Sequence, residues 1–242
     1  MDDIQTTMSG GHRGTAIVIA GGDPLPAGLV ADLVGELGAN RVAYLGDSRA
    51  GFGLVIAADS GLDHAHAAGL RPDVVIGDMD SVDPALLADA AADGVEILRH
   101  PASKDATDLE LALAHAHAEG HRRIVVIGGT GGRISHLLAN ASLLAGPVFA
   151  DTEMEWRTGD AVIGVVRPDR SATIVGTVGD LVSLVPIGGG AEGVTTDRLR
   201  WPLSDATLPS GSTRGISNEM TDTTAAVSLR GGVMLAIHER TM

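Results

Sequence analysis

LVIAADSGLDHAHAAGLRPDVVIGDMDSVDP, residues 54–84, decides how the rest of the chain is read. Two short apolar runs, LVIAA and DVVI, each stop at acids: Asp59 after the first, Asp78 and Asp80 after the second. The stretch between them has the composition of a helix, giving a strand, a helix and a strand. In an open α/β sheet, ligands bind at the carboxyl ends of the strands. Carboxylates gathered there suit Mg²⁺, a hard cation that takes oxygen ligands and holds phosphate oxygens. The competing explanation is that each Asp only accepts backbone N–H bonds in a turn. Three of them on two neighbouring strand ends favour a metal-assisted phosphoryl-transfer site.

The same alternation extends outward. Residues 1–14 read as a polar, Gly-rich leader, and TAIVIA (15–20), VEIL (95–98) and RIVVIG (123–128) join the two central runs as strands. Helices are expected near 25–37, 61–68, 84–92, 108–119 and 133–145, with RVAYLG (41–46) a possible further strand. Strands alternating with helices of this length predict right-handed βαβ units, a mostly parallel sheet and three layers. After Gly146-Pro147 the pattern changes to short β-type runs: VFA, AVIGVV, ATIVG, LVSLVPI, AAVSL and VMLAIH. The fold expected is therefore α/β: a parallel, three-layer nucleotide-binding domain over 15–147, then a small antiparallel β-sandwich or barrel over 148–242.

Composition narrows the chemistry. The formal charge of −14 over 242 residues argues against nonspecific nucleic-acid or anionic-membrane binding. A polyanionic substrate then needs local cations or a metal to offset that field. With no cysteine, neither a thiolate nucleophile nor a Cys-based zinc site is available. No secretory leader or membrane-length apolar run is evident, so a cytoplasmic location is expected. Tyr44, Phe52, Phe149, Trp156 and Trp201 are the whole aromatic set, which leaves each Trp open to a special role.

Four further segments carry candidate chemistry. In SKDATDLELALAHAHAEG (103–120), Thr107 and Glu110 have capping-box spacing and Gly120 supplies a stop. Lys104 is not explained by the cap and can neutralise phosphate charge, while Asp105 and Asp108 are further candidate metal or water ligands. Asp83 before Pro84 reads as an N-cap with Pro at N1, a structural role. The stretch IVVIGGTGGRISHLLAN (124–140) fits neither G-x-x-x-x-G-K-[ST] nor G-x-G-x-x-G. Its closely spaced glycines, among them Gly129, Gly131 and Gly132, still allow backbone N–H groups to approach phosphates. The following helix adds its dipole and Arg133 a forked cation, with His136 beside it. The other histidine pairs lack metal-ligand spacing. Late in the chain, GVTTDRLRWPL (193–203) and GSTRGISNEM (211–220) are polar and turn-rich. There Trp201 could stack on a heteroaromatic cation, with Ser217 and Asn218 bonding to its ring nitrogens.

Taken together, these segments resemble the thiamine pyrophosphokinase (thiamine diphosphokinase) family from about Ile17 to Glu219, block by block and in order. ADSGLDHA resembles A-D-G-G-A-N, PDVVIGDMDS matches P-D-x-x-x-G-D-x-D-S, and KDATDLELAL matches K-D-x-T-D-x-x-x-A-L. GGTGGRISHLLAN resembles G-G-x-G-G-R-x-D-H-x-L-A-N, and GVTTDRLRWPL and GISNE match the C-terminal blocks. The resemblance implies transfer of a diphosphoryl group from ATP to the hydroxyl of thiamine, giving thiamine diphosphate and AMP. It also implies a homodimer with the active site between subunits. Asp59, Asp78, Asp80 and Asp105 would organise catalysis, with Asp78, Asp80 and Asp105 on Mg²⁺. Lys104, Thr107, Asp108, the glycines, Arg133 and His136 would bind ATP; Trp201, Ser217 and Asn218 would meet thiamine. Two positions depart from the family: Ser103 and Ser135 stand where acids are usual. They keep two rivals open, a non-catalytic nucleotide- or thiamine-binding protein on this scaffold and a diphosphotransferase acting on another alcohol.

Overall fold

The protein is described by a computed structural model over residues 14–36, 53–159, 161–168 and 170–240. The expected strand at 41–46 lies outside these residues. So does the leader except for Gly14. The first half alternates as the sequence predicts: β1 (Ala16–Ala20), α1 (Leu29–Glu36), β2 (Leu54–Ala58), α2 (Gly61–Ala67) and β3 (Val74–Gly77). It continues with α3 (Pro84–Ala92), β4 (Glu96–Arg99), α4 (Asp108–Ala118), β5 (Arg123–Ile127) and α5 (Ile134–Leu144). Local signals set the helix ends. Asp83 accepts from Ala85 N at 2.8 Å with Pro84 at the first turn, and Thr107 Oγ1 accepts from Glu110 N at 3.2 Å.

These strands pair in parallel in the order β4-β3-β2-β1-β5, so the direction of winding reverses between β1 and β5. Side chains alternate across the sheet with the two-residue strand period. Ile17, Ile19, Val125 and Ile127 pack toward Val30 and Leu33 of α1, whereas Val18, Ile56, Ile124 and Val126 pack toward Leu109, Leu113 and Ala116 of α4. Met79, Val82 and Val95 close a smaller core beneath α3.

The second half departs from expectation in its first strand, in strands at 191–197, 206–208 and 218–219 that the expected runs did not include, and in the sheet it joins. VFA (148–150), read as a strand, lies in a 3₁₀ turn at Pro147–Phe149, because Pro147 starts a tight turn at the end of α5. The strand instead is EMEWR, β6 (Glu153–Arg157), which pairs in parallel with β5. Its charged alternation hid it, although Trp156 and Met154 are buried. Beyond it come β7 (Ala161–Val166), β8 (Ala172–Val175), β9 (Leu181–Pro186), β10 (Ala191–Asp197), β11 (Ala206–Leu208), β12 (Asn218–Glu219), β13 (Thr224–Ser228) and β14 (Met234–Glu239). Strands β7, β14, β9 and β12 extend the first sheet antiparallel into one ten-stranded sheet. The other four, ordered β11-β10-β13-β8, form a second layer over it. Val182, Leu184, Met234 and Ala236 meet Ile174, Val194, Ala225 and Val227 between the layers, the interior of a sandwich. The ten-stranded sheet runs across the expected boundary at 147/148, and the core against α4 takes in Met154, Trp156, Ile163 and Leu235 from beyond it.

Candidate active site

The carboxyl ends of β2 and β3 lie side by side, which brings their acids together. Asp59 has φ +48°, a left-handed turn that Asp tolerates, and its N–H donates to Ile76 O of β3 at 2.8 Å. Oxygens of Asp59, Asp78 and Asp80 all lie within 4.8 Å of one another. Gly77 makes this approach possible: at φ +155°, a Cβ there would stand 3.0 Å from Asp108 Oδ1 and 3.1 Å from Asp59 Cβ. Lys104 answers the negative charge. Its Nζ donates to Asp78 Oδ2 at 2.9 Å and pairs with Asp108 Oδ1 at 3.0 Å.

The electrostatics differ from one acid to the next. Burial pushes the Asp59 carboxyl above its ordinary pKa, and the charges of Asp108, Asp78 and Asp80 add to the rise against a Ser60 backbone bond. The Lys104 hydrogen bond holds Asp78 below its ordinary value. For Lys104 itself burial acts downward, but the bonds to Asp78 and Asp108 outweigh it and its pKa is raised. The cluster therefore holds a fixed cation, a fixed anion and one carboxylate that is costly to keep charged.

Asp59 Oδ1 is buried with no hydrogen-bond partner among the described residues, a costly arrangement for a carboxylate. An all-oxygen donor set with an orphaned oxygen fits a hard divalent cation. Asp105, expected among the metal ligands, is outside this group of oxygens; it is exposed while its neighbour Lys104 turns inward. The stretch before α4 bends at residues 102–103 and 105–106, and of these two neighbours it is Lys104 that reaches the acids.

The second part of the site lies at the winding reversal between β1 and β5. Gly128, Gly129, Gly131 and Gly132 all have positive φ, between +64° and +79°. Gly128 N–H donates to Arg157 O at 3.2 Å, and Gly129 N–H donates to Gly21 O at 2.9 Å. The Gly129 N–H, expected on a phosphate, is therefore taken up within the fold. Among the described residues no partner takes the N–H groups of Gly131 and Gly132. Trp156 Nε1 donates to Gly128 O at 2.6 Å and Asn140 Nδ2 to Gly129 O at 3.2 Å, fixing the loop from below. Arg133 stands at the N-cap position of α5 without a side-chain cap bond and contacts His136, both exposed. Ser135 and Ser103 are exposed as well. Thr107 Oγ1 serves the α4 cap.

Sequence reasoning passed over Gly21-Gly22-Asp23, the turn after β1. Asp23 N–H donates to Thr130 O at 2.8 Å, and a Cβ at Gly22 (φ +115°) would stand 2.2 Å from that oxygen. A glycine pair directly after an apolar strand was the available signal. From β3 to β5 is three strand spacings, roughly 14 Å, a span suited to a nucleotide's phosphate chain.

Trp201 lies elsewhere. It is 54% exposed at the rim of a cleft of about 440 Å³ with Leu184, Leu203, Arg214, Ile216 and Ser217. The Arg200 guanidinium stands 5.1 Å from its ring centroid. Ser217, with φ +56°, donates its N–H to Ser183 Oγ at 3.0 Å. Asn218 is buried, and its amide bonds to the Trp201 backbone at 3.0 and 2.7 Å. A larger cleft of about 940 Å³, beside the buried Asp180–His238 pair, includes none of the expected site residues.

Two family models match the chain: the thiamin pyrophosphokinase catalytic domain over residues 50–155 and the thiamin pyrophosphokinase vitamin B1 binding domain over 167–234. The chain belongs to the thiamin pyrophosphokinase family. Among relatives of this family, thiamine pyrophosphokinase from Bacillus subtilis is 27% identical over 225 residues, 92% of this chain and 97% of that one. Thiamine pyrophosphokinase 2 of Oryza sativa is 28% identical over 156 residues, and the match spans 61% of this chain but only 58% of the rice protein. The crystal structure of the Bacillus subtilis thiamine pyrophosphokinase superposes with a TM-score of 0.76 at 26% identity, covering 94% of this chain and 100% of that one. The catalytic-domain match takes in both the acid cluster and the glycine loop, and the vitamin B1 binding match takes in the Trp201 cleft.

Proposed function

We propose that the protein is a Mg²⁺-dependent thiamine diphosphokinase, moving the diphosphoryl group of ATP to the hydroxyl of thiamine and releasing AMP. The observation that carries this reading is the Asp59–Asp78–Asp80 cluster, with its orphaned buried oxygen, beside Lys104 in a chain of this family. Asp59, Asp78 and Asp80 would hold the metal. Bound there, the ion supplies neutralisation of charge on the transferring phosphoryl oxygens. Lys104, oriented by Asp78 and Asp108, keeps a positive charge at the same end of the sheet. The N–H groups of Gly131 and Gly132, the N-terminus of α5 and Arg133 form the anion cradle at the winding reversal. Catalysis then rests on positioning and charge rather than a covalent intermediate.

Strand order supports an active site shared between two copies. Trp201 is bonded to β12, and β12 stands eight strand positions from β3, roughly 38 Å measured across the sheet. A thiamine stacked on Trp201 cannot reach phosphates held by Asp78 of the same chain. A homodimer in which one subunit offers its Trp201 cleft to the other's acids meets the requirement. The location expected for such an enzyme is the cytoplasm, and among the described residues no helix is long and apolar enough to cross a membrane.

The test is direct. Purified protein incubated with ATP, Mg²⁺ and thiamine yields AMP and thiamine diphosphate in equal amounts; no AMP despite saturable thiamine binding would leave a binding protein instead. The shared site has its own test. Asp78→Asn and Trp201→Ala, each inactive alone, regain about a quarter of wild-type sites when their subunits are mixed and exchanged as a dimer. No recovery after demonstrated exchange would refute the shared site.

A further inference from the structure

Asn218 lies in a two-residue strand, β12, and is 8% exposed. Its Oδ1 accepts from Trp201 N at 3.0 Å and from Glu219 N at 2.9 Å, while its Nδ2 donates to Trp201 O at 2.7 Å. Only one orientation of the amide satisfies both Trp201 bonds. The side chain thus imitates a neighbouring strand, exchanging both backbone hydrogen bonds with one residue. Residue 200 is tied to the same strand: Arg200 N–H donates to Glu219 O at 2.9 Å and its guanidinium to Glu219 Oε2 at 2.7 Å. That guanidinium covers one face of the Trp201 ring. The strand itself is anchored from behind, because Gly179 N donates to Met220 O and Met220 N to Asp180 O, each at 2.9 Å. Asp180 is in turn held by buried His238 at 2.8 Å.

We infer that Asn218 is a positioning residue that latches Trp201. Its oxygen already accepts two bonds and one of its two amino hydrogens serves Trp201 O, so three of its four bonding positions are spent on backbone groups. The exposed tryptophan ring sits on a loop, where its stacking surface would otherwise sample many directions. Fixing the backbone of residue 201 at both N–H and C=O anchors the base of the side chain, while Arg200 covers one ring face and leaves the other open at the rim of the cleft. Preorganisation of this kind raises affinity by removing ordering costs from the binding step. The assignment of the occupant as thiamine rests on the function proposed above; the latch does not.

The two tryptophans make the test selective, since Trp156 is 2% exposed and Trp201 54%, so a soluble quencher such as acrylamide reads Trp201. In Asn218→Ala without ligand, quenching of Trp201 rises and its fluorescence anisotropy falls. Thiamine then binds about tenfold more weakly, as expected for two lost hydrogen bonds, while the KM for ATP changes less than about twofold. Asn218→Asp keeps the acceptor for both N–H groups and loses the donor, so it gives an intermediate rise in quenching even if the alanine variant folds poorly. Wild-type quenching and anisotropy in either folded variant would overturn the latch, above all if thiamine affinity still fell. If wild-type protein binds no thiamine, the functional reading fails while the quenching comparison still decides the latch.

Discussion

Replacing Asp59 by Asn removes one charge from the acid cluster without changing its shape. Asn tolerates the left-handed φ of +48° at least as well as Asp, so the backbone keeps its turn. In the metal-free protein the change relieves two things at once: burial of the charge and repulsion from acids within 4.8 Å. One such like-charge pair costs on the order of 1 to 3.5 kcal/mol between the limits of water and a partly buried surface. Lys104 offsets part of this through Asp78 and Asp108. A net gain of about 1 kcal/mol is expected, raising the unfolding midpoint by roughly 2–4 °C for a chain of this size. With Mg²⁺ the order reverses. A metal present at a hundred times its dissociation constant stabilises the wild type by about 2.7 kcal/mol, and the variant loses most of that. Turnover falls by about 10²-fold or more, as for other lost electrostatic groups at reacting centres. Thermal unfolding of both proteins in chelator and in Mg²⁺ reads the crossover. A variant less stable than wild type in chelator, or equally stabilised by Mg²⁺, would refute the reading of Asp59 as a metal ligand held at a cost.

Gly22→Ala places a Cβ 2.2 Å from Thr130 O at φ +115°, forcing the turn after β1 away from the glycine loop after β5. Urea denaturation is expected to reveal a loss of about 1–3 kcal/mol from strain, together with weaker ATP binding. Wild-type stability would mean the two turns are not held in contact. Lys104→Met tests the ion pair by pH. The folded-state pKa of Asp78 is lowered, so its contribution to stability is present above the unfolded carboxylate value and is lost as pH falls through the folded one. The Lys104 pKa is raised, so its contribution is full below the unfolded lysine value and is lost only as pH rises past the folded one. The stability difference between wild type and Lys104→Met should therefore be widest near neutrality and shrink in acid. A difference independent of pH would argue against the pair.

Much of the site was legible along the chain because its chemistry follows strand ends. Asp59, Asp78 and Asp80 each stand within three residues of the last residue of a β-strand. Period-two apolar runs mark such strands without any knowledge of their neighbours. The caps at Asp83 and Thr107 were equally local, since each side chain bonds to a backbone N–H two or three residues on. Local pattern misled at 148–157, where the apolar run VFA holds a 3₁₀ turn and the charged run EMEWR is the strand. There burial is decided by what lies across the sheet: Trp156 enters the core beneath the glycine loop, and Arg157 and Glu155 pair with each other.

The sequence by itself determined the α/β class, the acids and the glycine-arginine loop, since spacing and residue type encode local geometry and ligand chemistry. Strand order belongs to the tertiary structure, because pairing partners are chosen by long-range packing that no local period records. That order joins the β-sandwich to the parallel sheet and sets Gly21-Gly22-Asp23 against Gly128–Gly132. It also separates Trp201 from Asp78 by eight strands. The sequence marked Asn218 as a hydrogen-bonding partner for the substrate's ring nitrogens. Only the fold revealed that its amide is already bonded to that aromatic residue's own backbone.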